Sequence, residues 1–332
     1  PLNDLPKERA GWQYKVVGPK KFWTQLGLPL KLFGQKEKLD VFYSPSHYAP
    51  RFSPMPTIIS IMDLWHHRHP EQFDKKDLYR LLNWEKYSVK NSSRIVTISE
   101  FTKSEIVKFY NYPAKRITVA YPGYTKLKIK NEKLKIEEIK RKFGIKGNYL
   151  LYLGTLQPKK NIVGLVSSLN ILISQYPHPE GIPRRENITL VIAGKKGWLY
   201  EEIFNKIKDL GLEEKVIFTD FVAEEEKPYL IAGAKCFVLP SFYEGFGIPV
   251  LEAMSLGVPV AVSNTSSLPE VAGRAGFYFN PEKPEEIADC LLKVLKLSSD
   301  ELAAVVKEGK KQAEKFSFEK CARKVLETIE SV

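Results

Sequence analysis

Glu244 and Glu252 stand eight residues apart and bracket Gly245, Phe246 and Gly247 in the stretch CFVLPSFYEGFGIPVLEAMSLGVPVAV, residues 236–262. An ionised carboxylate offers two acceptor oxygens, which suits a pair of sugar hydroxyls. The glycines allow a backbone to come close to a ligand. Apolar runs at 236–239 and 258–262 read as buried parallel strands. A helix is expected to open between them at Gly247, with Pro249 in its first turn, where a missing N–H is tolerated. The N–H groups of Ile248, Val250 and Leu251 then form the positive end of that helix and a seat for an anion. One ligand would satisfy all of these groups: a nucleoside diphosphate sugar, with its ribose at Glu252, its diphosphate on the amides and its sugar at Glu244.

Other loops follow other expected strands. The apolar run 149–153 leads to Gly154, Thr155, Lys159 and Lys160 in GTLQPKKNI, the run 188–193 leads to Gly194, and the run 216–218 leads to a loop ending at Val222. From the first half comes Asp63, after the run 57–62. Ligands of open α/β sheets bind outside the carboxyl ends of strands, where Asp63 belongs. His66, His67 and His69 follow Asp63 in the same loop. Their side chains suit a metal, but this spacing in a loop is unspecific and no metal is expected.

EGFGIPVLE resembles the E-x7-E signature of the retaining glycosyltransferases with the GT-B fold, the group 1 or family four type to which bacterial mannosyl- and glucosyltransferases belong. GTLQPKKNI, VIAGKKGW (191–198), FTDFV (218–222), LPEVAG (268–273) and FSFEKCA (316–322) stand in that family's order, and the resemblance is strong from Asp40 onward. It implies an α/β protein of two Rossmann-like, doubly wound parallel-sheet domains facing across a cleft. It also places Lys160 on the donor diphosphate, groups Gly154, Thr155, Gly194 and Val222 in the donor site, and sets Glu244 and Asp63 beside the transferred sugar as the catalytic candidates. Two positions depart from the pattern. Thr155 stands where relatives carry an arginine, with Lys159 as a substitute, and Met62 precedes Asp63 where relatives carry a histidine. The strand and glycine turn that open the family's first domain are expected to be missing from this chain. The implied reaction moves a hexosyl group, mannosyl preferred and GDP-mannose the preferred donor, to a glycan or lipid-linked hydroxyl with retention of configuration and no cofactor. Its setting would be cell-surface polysaccharide or glycolipid synthesis. The alternatives are a catalytically impaired scaffold that binds a sugar nucleotide, and a sugar-nucleotide epimerase.

A chain of 332 residues accommodates two buried cores. The division expected is an acceptor-side domain over 1–123, a basic linker helix over 124–147, a nucleotide-sugar-binding domain over 148–312, and a last helix over 313–332 that crosses back to the first domain. Leu134, Ile139 and Phe143 give the linker helix an apolar side. Before Asp63 a short strand is expected at 14–17, a helix at 23–33 and a strand at 41–43. Ser99 reads as the N-cap of a helix ending near Tyr110, and 176–187, rich in Pro and Gly, as an excursion. The net charge of +12 comes with no recognisable nucleic-acid-binding module, so an anionic membrane surface is the expected partner and nucleic acid is not. No apolar run has the length needed to cross a bilayer. Cys236, Cys290 and Cys321 lack metal-type spacing and read as reduced thiols. The chain is expected in the cytoplasm, peripheral to the inner face of the membrane.

Overall fold

The computed structural model describes residues 7–18, 23–35, 38–126, 129, 131–174 and 188–332. Strands β1 (Phe42–Ser44), β2 (Thr57–Ile61), β3 (Arg94–Thr97) and β4 (Ile117–Val119) form one parallel sheet in the order β1-β2-β3-β4. Every residue of β2 is buried, as a strand covered on both faces must be. Ile59, Ile61, Ile95 and Ile117 pack with Leu64 and Ile106 on one face. On the other face, Ile58, Val96 and Ala120 meet Cys321, Val325 and Ile329 of the C-terminal helix, Phe318–Glu330, which lies across this first sheet. Gly123 permits that crossing, because a Cβ there would stand 2.1 Å from the Phe318 nitrogen.

The second sheet holds β5 (Asn148–Leu153), β6 (Ile188–Ala193), β7 (Val216–Asp220), β8 (Cys236–Leu239), β9 (Val260–Ser263) and β10 (Gly276–Phe279), all parallel, in the order β10-β9-β8-β5-β6-β7. The chain runs outward from β5 through β6 to β7, then returns to β8 on the other side of β5. Leu150 and Leu151 therefore pair with Cys236 and Phe237. The direction of winding reverses between β5 and β8, and a crevice opens there at the carboxyl ends of the strands. The loops after these two strands carry Lys159, Lys160 and Glu244.

Several local expectations are corrected. Residues 14–17 form no strand, and the nearest backbone pairing is an isolated bridge between Arg9 and Trp12. The helix over 23–33 is a π-helical turn, Trp23–Gly27, continued by an α-helix, Leu28–Phe33. In the linker helix, Glu132–Lys142, only Ile139 is buried, and Leu134 is 77% exposed. Five residues turn a helix by about 140° beyond a full turn, so the two cannot share a face. Residues 176–187 lie outside the described residues.

Candidate active site

Around the crevice the β5 loop and the β8 loop hold each other. The β5 loop tightens into a 3-10 turn, Pro158–Lys160, that ends at left-handed Asn161, whose buried amide donates to the Pro281 carbonyl at 2.6 Å. The Phe242 N–H donates to the Lys159 carbonyl at 2.9 Å. This fixes Lys160 so that its Nζ donates to Glu244 Oε1 at 2.6 Å, and the Ser241 hydroxyl donates to the same oxygen at 2.7 Å. From behind, the Glu244 N–H donates to Ser266 Oγ, and the Ser267 hydroxyl donates to the carbonyls of Glu244 and Phe246. Glu244 is thus a buried carboxylate in a rigid loop, with one lysine and one hydroxyl on one of its oxygens.

The helix after the glycines spans Ile248–Ser255, with Pro249 in its first turn and Gly247 at φ 113° before it. That φ is open to glycine alone without strain. The Val250 N–H donates to the Gly247 carbonyl at 3.0 Å, so the expected set of free amides at Ile248, Val250 and Leu251 loses its middle member. Gly245 has a different use from the one its type predicts. A Cβ there would lie 2.3 Å from the Met62 carbonyl oxygen, so the glycine admits the backbone of the other lobe and not a ligand. Phe246 is buried against Tyr121 and Phe316, which leaves its ring no access to a donor. The side chains of Val250 and Leu251 are likewise in the core.

Glu252, also buried, receives Lys227 Nζ at 2.9 Å on Oε1, and Lys227 is 2.9 Å from Glu224 as well. Burial pushes the Glu252 pKa above the usual carboxylate range against the pull of Lys227. Burial lowers the Lys227 pKa, but the hydrogen bonds to Glu252 and Glu224 more than reverse this. Lys227 and Glu224 line a pocket of 260 Å³ together with Gly154, Thr155, Gly194 and Val222. Gly194, at φ 146°, packs on Gly154: a Cβ would meet the Gly154 carbonyl at 2.0 Å.

From the first lobe, β2 delivers Met62 and Asp63 to the same crevice. Lys159 Nζ is 3.3 Å from Asp63 Oδ2 across the cleft, and the Trp65 N–H donates to Oδ1 at 3.2 Å. Burial raises the Asp63 pKa, yet Lys159, that N–H and His47 outweigh it and hold the carboxyl below its usual range. Two residues that sequence reasoning passed over complete the junction. Tyr243, kept a neutral phenol by burial, accepts from the Leu64 N–H at 3.0 Å. Glu270 accepts from the N–H groups of Glu100 and Phe101 at 3.0 Å each and from the Tyr121 hydroxyl at 2.9 Å. The motif LPEVAG contains Glu270, but its partners are far away in sequence. A second pocket of 730 Å³ opens beside this junction, walled by Trp65, Arg68, Phe101, Phe242 and Tyr243. Asp63 and His69 do not join His66 and His67 in a metal-like cluster; among the described residues, the group whose ligand atoms converge is His66, His67 and Glu85.

Comparison with known proteins agrees with this architecture. The family model for Glycosyl transferases group 1 matches residues 135–312, and that for Glycosyltransferase Family 4 matches residues 9–125. O-antigen chain mannosyltransferase B of Escherichia coli is 32% identical over 288 residues, 86% of this chain and 73% of the relative. O-antigen chain mannosyltransferase RfbU of Salmonella typhimurium is 29% identical, over 79% of this chain and 65% of its own length. Among solved structures, Anabaena Alr3699/HepE in complex with UDP superposes with a TM-score of 0.74 at 20% identity, covering 92% of this chain and 82% of that one. WaaG, a glycosyltransferase involved in lipopolysaccharide biosynthesis, gives 0.65 at 19% identity over 87% of this chain and 76% of its own.

Proposed function

Because the chain belongs to the group 1 glycosyltransferases and has their two-lobed GT-B fold, we propose that it transfers a mannosyl group from GDP-mannose to a glycan or lipid-linked hydroxyl, with retention of configuration. The observation that carries this reading is the buried Glu244 held by Lys160 and Ser241 at the winding reversal of the second sheet. The relatives named above as O-antigen mannosyltransferases support the sugar and the setting in cell-surface polysaccharide synthesis. A nucleotide-sugar donor is supported by the HepE structure solved with UDP and glucose.

In this reading the donor diphosphate enters beside Lys160 and Lys159 and exchanges one charge partner for another: each ammonium leaves a carboxylate and meets phosphate oxygens. Glu252 and the 260 Å³ pocket take the nucleoside. Glu244, freed of Lys160, orients the sugar and stabilises the positive charge that grows on its ring as the diphosphate departs. Preorganised groups of this kind are worth several kcal/mol of barrier. No step calls for a metal ion.

The test is calorimetric titration with a panel of nucleoside diphosphate sugars, with and without magnesium, followed by kinetics of two variants. GDP-mannose is expected to bind at micromolar concentration without magnesium. Glu244→Gln should lower kcat by about 10²-fold or more. Glu252→Ala should weaken donor binding by roughly 10- to 100-fold, as loss of a charged hydrogen-bond partner does. Unchanged kinetics in both would remove these roles, and no donor binding at all would favour a non-catalytic scaffold.

Membrane attachment is a further part of the proposal, supported by the net charge of +12 and a pI near 9.3. No helix among the described residues is long and apolar enough to cross a bilayer. Vesicles containing anionic lipid should sediment the protein and neutral ones should not; equal recovery in the supernatant would end this part.

A further inference from the structure

Behind the Asp63 loop, polar side chains converge on Glu85, which is fully buried in the Lys75–Asn91 helix. Its Oε2 lies 2.6 Å from His47 Nδ1. Its Oε1 accepts from the Tyr110 hydroxyl and faces His66 Nε2 at 3.3 Å and His67 Nε2 at 3.9 Å. His67 Nε2 is also 2.6 Å from the Tyr110 oxygen. The exception is His66. It is 3% exposed, and its Nε2 forms no hydrogen bond although it is aimed into the cluster. An unpaired buried polar nitrogen costs roughly 1–3 kcal/mol, so the arrangement leaves a place for a further partner at His66 Nε2.

The geometry suits a metal ion. Ligand atoms held tetrahedrally at the usual zinc distances of about 2.0–2.2 Å stand roughly 3.3–3.6 Å apart. The His66–Glu85 edge already has that length, and the three ligand atoms of His66, His67 and Glu85 lie within 4.8 Å of one another. Access comes from a 640 Å³ surface pocket that His67 and Tyr110 line and that shares no residue with the cleft pocket.

We propose that His66, His67 and Glu85 bind one divalent transition-metal ion of the zinc class, with the Tyr110 hydroxyl or a water as the fourth ligand. Two imidazoles and a carboxylate are the donor set such ions take. The site is structural. His66 and His67 belong to the short helix Trp65–Arg68, whose Trp65 and Arg68 wall the cleft pocket, so the ion ties that turn to the Lys75–Asn91 helix and takes no part in glycosyl transfer.

Cobalt(II) is the probe. The chain, stripped with a chelator and then titrated with Co²⁺, should bind one ion and develop the visible absorption of a low-symmetry nitrogen and oxygen site, which Zn²⁺ should abolish. Zn²⁺ should also raise Tm, since a ligand bound by the folded state alone stabilises it. His66→Ala should weaken binding at least 10- to 100-fold, the range seen on losing mere outer-shell partners, and cancel the Tm shift. His66 Nε2 makes no hydrogen bond to lose, so this variant should fold, which far-ultraviolet circular dichroism would check. His69→Ala, a change at a half-exposed neighbour, should bind as the parent does. Absence of visible bands in the parent, or equal bands in His66→Ala, would overturn the site.

Discussion

At the residue scale the second lobe's site depends on one ion pair, Lys160 with Glu244, whose side chains are 15% and 10% exposed. Removing one member of such a pair strands the other charge away from water, and typical losses are about 3–5 kcal/mol. Lys160→Met should therefore destabilise the fold by that order in denaturant melts, besides weakening the donor. Glu244→Gln leaves the Lys160 ammonium without a counter-charge but keeps a carbonyl oxygen for both Lys160 and Ser241, so its stability loss should be smaller than that of Lys160→Met while turnover collapses. Equal stability losses would mean that Glu244 is a structural residue. The motif spacing singled out Glu244, Glu252 and Lys160, each of which the structure holds in an ion pair, because a carboxylate or a lysine carries its own type. Ser241, Ser266 and Ser267 were not legible, because a serine beside a loop carries no signal until the chain folds back on it. Nor do the letters GFG say that the ring of Phe246 turns away into the core.

At the scale of elements, the parallel strands were readable as apolar runs, since a strand covered on both faces cannot alternate. Boundaries moved where a run of residues also fits a turn, as at 14–17, or where spacing decides the face, as with Leu134. The glycine loop shows how contact with another element overrides a local reading. Gly245 is small because β2 ends against it, with the Met62 carbonyl 2.3 Å, and Asp63 Cβ and Ile98 Cδ1 each 3.2 Å, from where a Cβ would stand. Backbone cannot give way as the tip of a side chain can. Gly245→Ala should force the β2 and β8 loops apart at a cost of about 1–3 kcal/mol and lengthen the distance from Lys159 to Asp63. A spin-label pair, one probe on each lobe, should report a longer and broader distance distribution in the variant. An unchanged distribution would show that the loops relax locally and that the glycine is dispensable.

At the scale of the whole molecule, the lobes meet through polar contacts, through the rings of Tyr243 and Phe246 packed on Trp65, Phe101 and Tyr121, and through the returning C-terminal helix. The lobes and the cleft followed from the family's motifs; the contacts that close the cleft did not, because each joins residues from different halves. Asp63 to Lys159 is the ion pair in which a titratable carboxylate bridges the cleft, and the sign of its pH dependence follows from its depressed pKa. A carboxyl held lower in the folded than in the unfolded state contributes stability that is full above the unfolded value, about 3.9, and is lost as pH falls through the folded value. Closure should therefore be insensitive to pH from neutrality down to the ordinary aspartate range and weaken only below it. Asp63 is 31% exposed at its side chain, so the pair is worth on the order of 1 kcal/mol and is partly screened by salt. Asp63→Asn should give at neutral pH the opening that the parent reaches only in acid, read as an increase in radius of gyration by small-angle scattering. The parent and the variant should then converge as the pH is lowered toward the point of unfolding. A nucleoside diphosphate that claims Lys159 would compete with the same carboxylate, so its binding should tighten in Asp63→Asn if the bridge opposes it. Weaker binding in that variant would mean that the bridge holds the lobes in the arrangement the donor needs, and that Lys159 reaches the phosphate without leaving Asp63.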